Sequence, residues 1–277
     1  MKTVSKIIIY PIKSLNGISV QKAKLTSTGF YNDRKFMLVD IRENKMITLR
    51  EYPNLYQIKL SFIEDDIIQL ENEKHKQAPL IIKLNETESN TKTWIVNVWD
   101  DLVEVQSWNI QADKWFSEAI GIKCQLVKMA PGFFRQVDLR YANLGKGVLF
   151  SDGFPYLICT ETSLETLNHD LKNKVTVFNF RPNILLKGSL PNEEFNWDYI
   201  KVNGYIFNSF KPCARCQVIS IDPEKQKLNN EILPLMAKKY QKDKKIVFGL
   251  NACLETNEVN GEIKVGDSFQ SFNKINL

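Results

Sequence analysis

Tyr199-Ile200-Lys201-Val202-Asn203-Gly204-Tyr205-Ile206-Phe207 sets two short β-branched and aromatic runs on either side of Asn-Gly. Asn and Gly both accept the positive φ that a two-residue turn demands, so the stretch predicts a tight antiparallel hairpin. The same pattern extends in both directions. Downstream, residues 217–221 alternate as a strand stopped by Asp222-Pro223, and 246–253 and 262–272 supply the last strands. Upstream, strands are predicted at 6–12, 36–41, 46–50, 55–62, 67–70, 80–84 and 175–180, with turns at 42–45 and 64–66 and a polar stretch at 85–92. Residues 93–99 and 102–108 flank Asp100-Asp101 as a further hairpin.

Helical signals are few. Asn109 caps a run through Ile120 with apolar positions Ile110, Trp115, Phe116, Ala119 and Ile120. Thr162-Ser163-Leu164-Glu165 has the spacing of a capping box and predicts a helix to about Lys172, and a third helix covers roughly 230–240. Residues 133–155 lack any period and read as a long functional loop. The fold class is therefore mostly β (α+β), with peripheral helices, and barrel closure is the natural way to hide so many strand edges.

At 277 residues, 43% hydrophobic and 25% charged, with 12 Gly and 10 Pro, the chain excludes collagen-like, disordered and mini-protein classes. A surplus of +5, spread thinly, does not imply nucleic acid. The apolar run near the start, residues 7–10, is far too short for a signal or membrane segment, so a cytoplasmic chain without membrane contact is expected. Five cysteines, odd in number and mostly isolated, fit reduced thiols.

Of 37 basic side chains only seven are Arg, at 34, 42, 50, 135, 140, 181 and 215. A chain that makes its generic charge with Lys reserves Arg for places that use the planar fork, as in phosphate or carboxylate recognition. Arg34, Arg50, Arg181 and Arg215 all fall at predicted turns or strand ends, and Lys13-Ser14 follows the first strand. An anionic, phosphorylated ligand would need such a set.

Lys211-Pro212-Cys213-Ala214-Arg215-Cys216 reads as a loop and admits four chemistries. Structural zinc lacks its remaining ligands, and a thioredoxin-like dithiol expects a helix where a strand is predicted. Two buried thiols packing as small hydrophobes compete evenly with a single thiolate ligand or nucleophile, Cys216 before Cys213, beside the positive field of Arg215. Gly-x-Gly-x-x-Gly, Walker, Gly-x-Ser-x-Gly and His-Glu-x-x-His motifs are absent, and pyridoxal phosphate is not expected. The two histidines, His75 and His169, read as structural or exposed.

Six segments in register resemble the MOSC family with its preceding β-barrel domain, the group that includes mitochondrial amidoxime-reducing components and bacterial relatives. They are Tyr10-Pro11-Ile12-Lys13-Ser14, the run from Gly29 to Val39 around Asn32-Asp33-Arg34-Lys35, Phe150-Ser151-Asp152-Gly153-Phe154-Pro155, Phe180-Arg181-Pro182-Asn183-Ile184, Pro212-Cys213-Ala214-Arg215-Cys216 and Ile263-Lys264-Val265-Gly266-Asp267. The resemblance implies a β-barrel-like domain at 1–95, a cofactor-binding barrel domain at 96–277, and a cleft between them. It implies a molybdenum cofactor (Mo-molybdopterin) in which a pterin dithiolene and the Cys216 thiolate hold the metal. Lys13, Ser14, Arg34, Arg181, Asn183 and Arg215 fall at or beside positions that bind the cofactor, Ser151 and Asp152 on a loop near the site, with Asp152 assigned to catalysis, and Thr48 and Arg50 are additions.

The implied activity is reduction of N-hydroxylated compounds (amidoximes, hydroxylamines, N-hydroxylated bases). Electrons would come from a separate protein, a ferredoxin, a cytochrome b5-like protein or a flavoprotein reductase, because neither an amino-terminal anchor nor an appended iron–sulfur domain is read in the sequence. The alternatives are a sulfur carrier with a Cys216 persulfide, or a non-catalytic module that stores or delivers the cofactor.

Overall fold

The computed structural model describes residues 1–72, 74, 77–86, 92–225, 227–257 and 260–273. His75 and residues 87–91 of the polar stretch lie outside them.

Strands Phe36–Asp40, Lys45–Met46, Thr93–Val98, Asp101–Ser107 and Cys124–Met129 close into a five-stranded barrel. Phe36-Met37-Leu38-Val39 is buried at every position because both of its faces are covered. Met37 and Val39 pack with Val96, Val98, Val103, Val105 and Phe150, while Phe36 and Leu38 turn to Trp108, Phe116 and Leu126. Helix Ile110–Ile120 lies on that second face. Asn109 caps it by accepting from Gln111 N (2.7 Å) and Ala112 N (3.2 Å), and Gly121 ends it at φ 79°. Ile110, expected on the buried face, is exposed in the first turn, and Ala112 takes that place.

The larger sheet has nine strands, and strand Thr3–Ile9 runs antiparallel to Ile184–Lys187 inside it. The start of the chain is thus built into a sheet otherwise made by its second half. A bridge between Thr3 and Ser268 links that strand to the region of Phe269–Asn273 at the far end, rolling the sheet back on itself around Ile7, Tyr156, Trp197, Phe207 and Leu250. The Asn203-Gly204 hairpin forms as expected between Trp197–Val202 and Tyr205–Ala214.

Several expected elements differ. The strand expected at 175–180 is a short helix, Val177–Phe180, because Thr176 and Asn179 complete a reciprocal capping box that the β-branched run conceals. Residues 217–221 form one 3-10 turn, Gln217–Ser220, held by Asn179 Nδ2 donating to the carbonyls of Ile219 (3.0 Å) and Ile221 (3.1 Å). The 211–216 segment is not a loop: its first four residues end the ten-residue strand Tyr205–Ala214, and register shifts at Ser209/Lys211 and Pro212/Ala214 accommodate Pro212. The strand expected from residue 55 starts at Ile58, after a Pro53–Gln57 turn, and the hairpin expected to turn at Asp100-Asp101 turns one residue earlier, at Trp99-Asp100. No described helix is long and apolar enough to cross a membrane.

Candidate functional site

Strand Thr3–Ile9 delivers the chain to Lys13 and Ser14, the turn before Phe36–Asp40 carries Arg34, and the segment after Lys45–Met46 carries Thr48 and Arg50. The long loop brings Ser151 and Asp152, the end of helix Val177–Phe180 brings Arg181 and Asn183, and the end of Tyr205–Ala214 brings Arg215 and Cys216. All eleven line one cleft with about 940 Å³ of empty space, counted out to solvent. Cys213, the reserve thiol, lines it too.

The lining carries five cations, Lys13, Arg34, Arg50, Arg181 and Arg215, against one carboxylate, Asp152. Such an imbalance in a partly enclosed space concentrates field on anions. Arg34 is neutralised from behind: its Nη1 donates to both oxygens of Asp33 (2.7 and 3.0 Å), whose carboxylate also accepts from Tyr10 N (2.8 Å). Burial pushes the Asp33 carboxyl up and Arg34 pulls it back. The guanidiniums of Arg34 and Arg181 sit 4.1 and 4.4 Å from the centre of the Tyr10 ring.

Arg215 is pinned by Phe248 O (2.9 Å from Nε) and Phe180 O (3.0 Å from Nη1), while its Nη2 is buried without a partner. An unsatisfied buried guanidinium nitrogen is costly, so the two carbonyls that pin Arg215 are what hold it at the cleft wall. Cys216 begins the turn directly after Arg215, and burial pushes the neighbouring Cys213 thiol up. The Asn183 side chain is already engaged, accepting from Leu157 N and donating to Ile8 O, so it braces the strands beside the cleft.

Asp152 stands at the mouth. Lys13 Nζ lies 2.5 Å from its Oδ1 and also donates to Phe150 O (2.8 Å). Burial lowers the Lys13 amine and Asp152 partly restores it. The packed protein around the mouth works against Asp152 ionisation, but Lys13 and the Trp99 N–H (3.0 Å) outweigh it and hold the carboxyl well below the usual range. With 76% of the Asp152 side chain exposed, solvent screens this pair.

Four contributors went unassigned from sequence. Arg135 donates to the carbonyls of Leu149, Ser151 and Asp152 and, through Nε, to Asp101 (2.7 Å), tying the 149–152 loop to the barrel. Its membership of the scarce arginine set was the available signal. Tyr10 and Asp33 lay inside two of the six segments without a role of their own, and Trp99 carried no signal that spacing exposes. Ser14 (φ 69°), Arg34 (45°), Trp99 (56°) and Arg181 (55°) all hold left-handed backbone at the cleft. Each costs on the order of 1 kcal/mol, and strain of this kind collects at sites of function.

The MOSC N-terminal beta barrel domain matches residues 1–123, and the MOSC domain matches residues 145–270. The chain belongs to the MOSC family. It is 30% identical over 294 residues to molybdenum cofactor sulfurase of Solanum lycopersicum, covering 95% of this chain and 35% of that protein. It is 32% identical to mitochondrial amidoxime-reducing component 1 of Mus musculus (80% of this chain, 66% of that one), and 28% identical to the Homo sapiens protein of the same name (96% and 81%). The chain thus spans about a third of the sulfurase and two thirds of the mouse protein. In this MOSC chain the two matched segments meet at the cleft: Lys13 and Arg34 come from the first, and Asp152, Arg181, Arg215 and Cys216 from the second.

Proposed function

We propose that the cleft holds a molybdenum cofactor and that the protein reduces N-hydroxylated compounds with electrons from a separate donor protein. One observation carries this reading: a thiol, Cys216, opens into a cleft lined by five cations drawn from both matched segments. The donor chemistry fits. Among the described residues no three His, Cys, Asp or Glu side chains converge as a metal-ligand set, so a metal held through Cys216 must arrive with its own donors, as a pterin dithiolene provides. The relatives named above support the two halves of this reading, one being named for the molybdenum cofactor and the other for amidoxime reduction.

The cofactor, when bound, supplies the two-electron chemistry. The chain's part is to hold and shield it. Cys216 would give the protein's sulfur donor, Arg34, Arg181 and Arg215 would bind the phosphate and pterin, and Lys13 and Ser14 would cover the near side. Asp152, kept ionised at the mouth, serves as a hydrogen-bond acceptor that orients the N–OH of an incoming substrate.

Protein made in a cofactor-competent host should contain molybdenum, and Cys216→Ala should lose reduction of an amidoxime. Full activity in Cys216→Ala would end the proposal. A second reading rests on the sulfurase relatives: Cys216 carries sulfur as a persulfide. Cyanide-releasable sulfur in metal-free protein, absent from Cys216→Ala, would favour it.

A further inference from the structure

Trp99 occupies the first of two turn residues between strands Thr93–Val98 and Asp101–Ser107, with φ 56°, a position at which a hairpin ordinarily takes glycine. A bulky aromatic there is sterically disfavoured, is 37% exposed, and fills no core. The surroundings nevertheless fasten it from three separate segments. Its indole N–H donates to Asp152 (3.0 Å), the Arg50 guanidinium lies 4.5 Å from its ring centre, and the Lys13 ammonium 5.6 Å. The ring lines the cleft and also the adjoining groove of Glu43, Lys45 and Asn97.

We infer that Trp99 is the specificity-determining wall of the cleft, an aromatic platform on which flat, delocalised N-hydroxylated compounds stack in preference to bulky aliphatic ones. The inference rests on the function proposed above and names the ligand shape that this site selects. Indole offers a π face to a planar partner, and a saturated, branched partner cannot match it. The bond to Asp152 fixes the ring's edge, so the platform is preorganised beside the carboxylate that would orient the N–OH group.

The test compares an aromatic amidoxime with an aliphatic hydroxylamine of similar size, by calorimetric binding to protein purified from a cofactor-making host. Trp99→Gly removes the ring and also relieves the left-handed backbone, so the turn is retained. It should weaken aromatic binding about five- to tenfold more than aliphatic binding, because the lost hydrogen bond to Asp152 falls on both ligands and the lost ring face on the aromatic one alone. Trp99→Phe should keep most of the preference. Equal losses for both ligands in Trp99→Gly, or no aromatic preference in the unaltered protein, would overturn the inference. Turnover is read separately: binding that discriminates without reduction of either compound would count against the reductase reading and leave Trp99 in its role.

Discussion

Arg34 donates from Nη2 to the backbone carbonyl of Arg181 at 3.1 Å, across 147 residues of chain. Two like charges are thereby held side by side over Tyr10, and the buried Asp33 is what makes this tolerable. Asp33 is 1% exposed and relies on Arg34 for two of its hydrogen bonds. Removing Arg34 strands a buried carboxylate. Arg34→Ala should lose about 3–5 kcal/mol in urea unfolding, and adding Asp33→Asn should recover part of it. A loss under about 1 kcal/mol would show that the pair is not what holds this turn.

Glu194 is fully buried, its Oε2 accepting from Thr160 (3.2 Å) and Ser163 (2.9 Å) and its Oε1 unpartnered. Burial raises its pKa. A carboxyl raised in the folded state binds more protons than the unfolded chain, so its ionisation costs stability as pH climbs above the ordinary value of 4.5. Glu194→Gln cannot titrate. The melting temperature of Glu194→Gln relative to the unaltered protein should therefore rise between pH 5 and pH 8, and a flat difference would refute the assignment.

Arg135 holds three carbonyls of the 149–152 loop with one planar fork. Lys cannot reproduce that geometry. Arg135→Ala should speed amide hydrogen exchange across 149–152 by tenfold or more, roughly the loss of one buried hydrogen bond, with Arg135→Lys between the two. Unchanged exchange would mean that Lys13 and Trp99 suffice to hold the loop.

Gly249 lies at φ 73°, and a Cβ there would come within 2.6 Å of the buried Cys159 Sγ and 2.8 Å of the Ile158 carbonyl. Neither neighbour has room to retreat. Gly249→Ala should cost about 3 kcal/mol or more, seen as a lower midpoint in thermal unfolding. A midpoint within error of the unaltered protein would show that the strand shifts freely.

Hairpins and caps were legible because their causes are local: Asn203-Gly204 needs only its own φ angles, and Asn109 only the two amides ahead of it. The cleft's composition was legible as well, through the scarcity of Arg and its placement at strand ends. Residues 175–180 and 217–221 misled because a β-branched run reads as a strand wherever its neighbours are unknown. What turns both into helical turns is a single side chain, Asn179, bonded to Thr176 on one side and to Ile219 and Ile221 on the other.

Amino-acid order alone determined that this is a β-rich chain whose arginines are scarce, four of them falling at turns or strand ends, and whose Cys213-Ala214-Arg215-Cys216 segment pairs a thiol with a guanidinium. Only the folded molecule decided that these groups face one another, that Trp99 joins them, and that Arg135 braces the loop behind Asp152. Propensity acts between residues a few places apart, whereas the cleft exists because strand Thr3–Ile9 pairs with Ile184–Lys187, an encounter between distant parts of the chain that no local preference encodes.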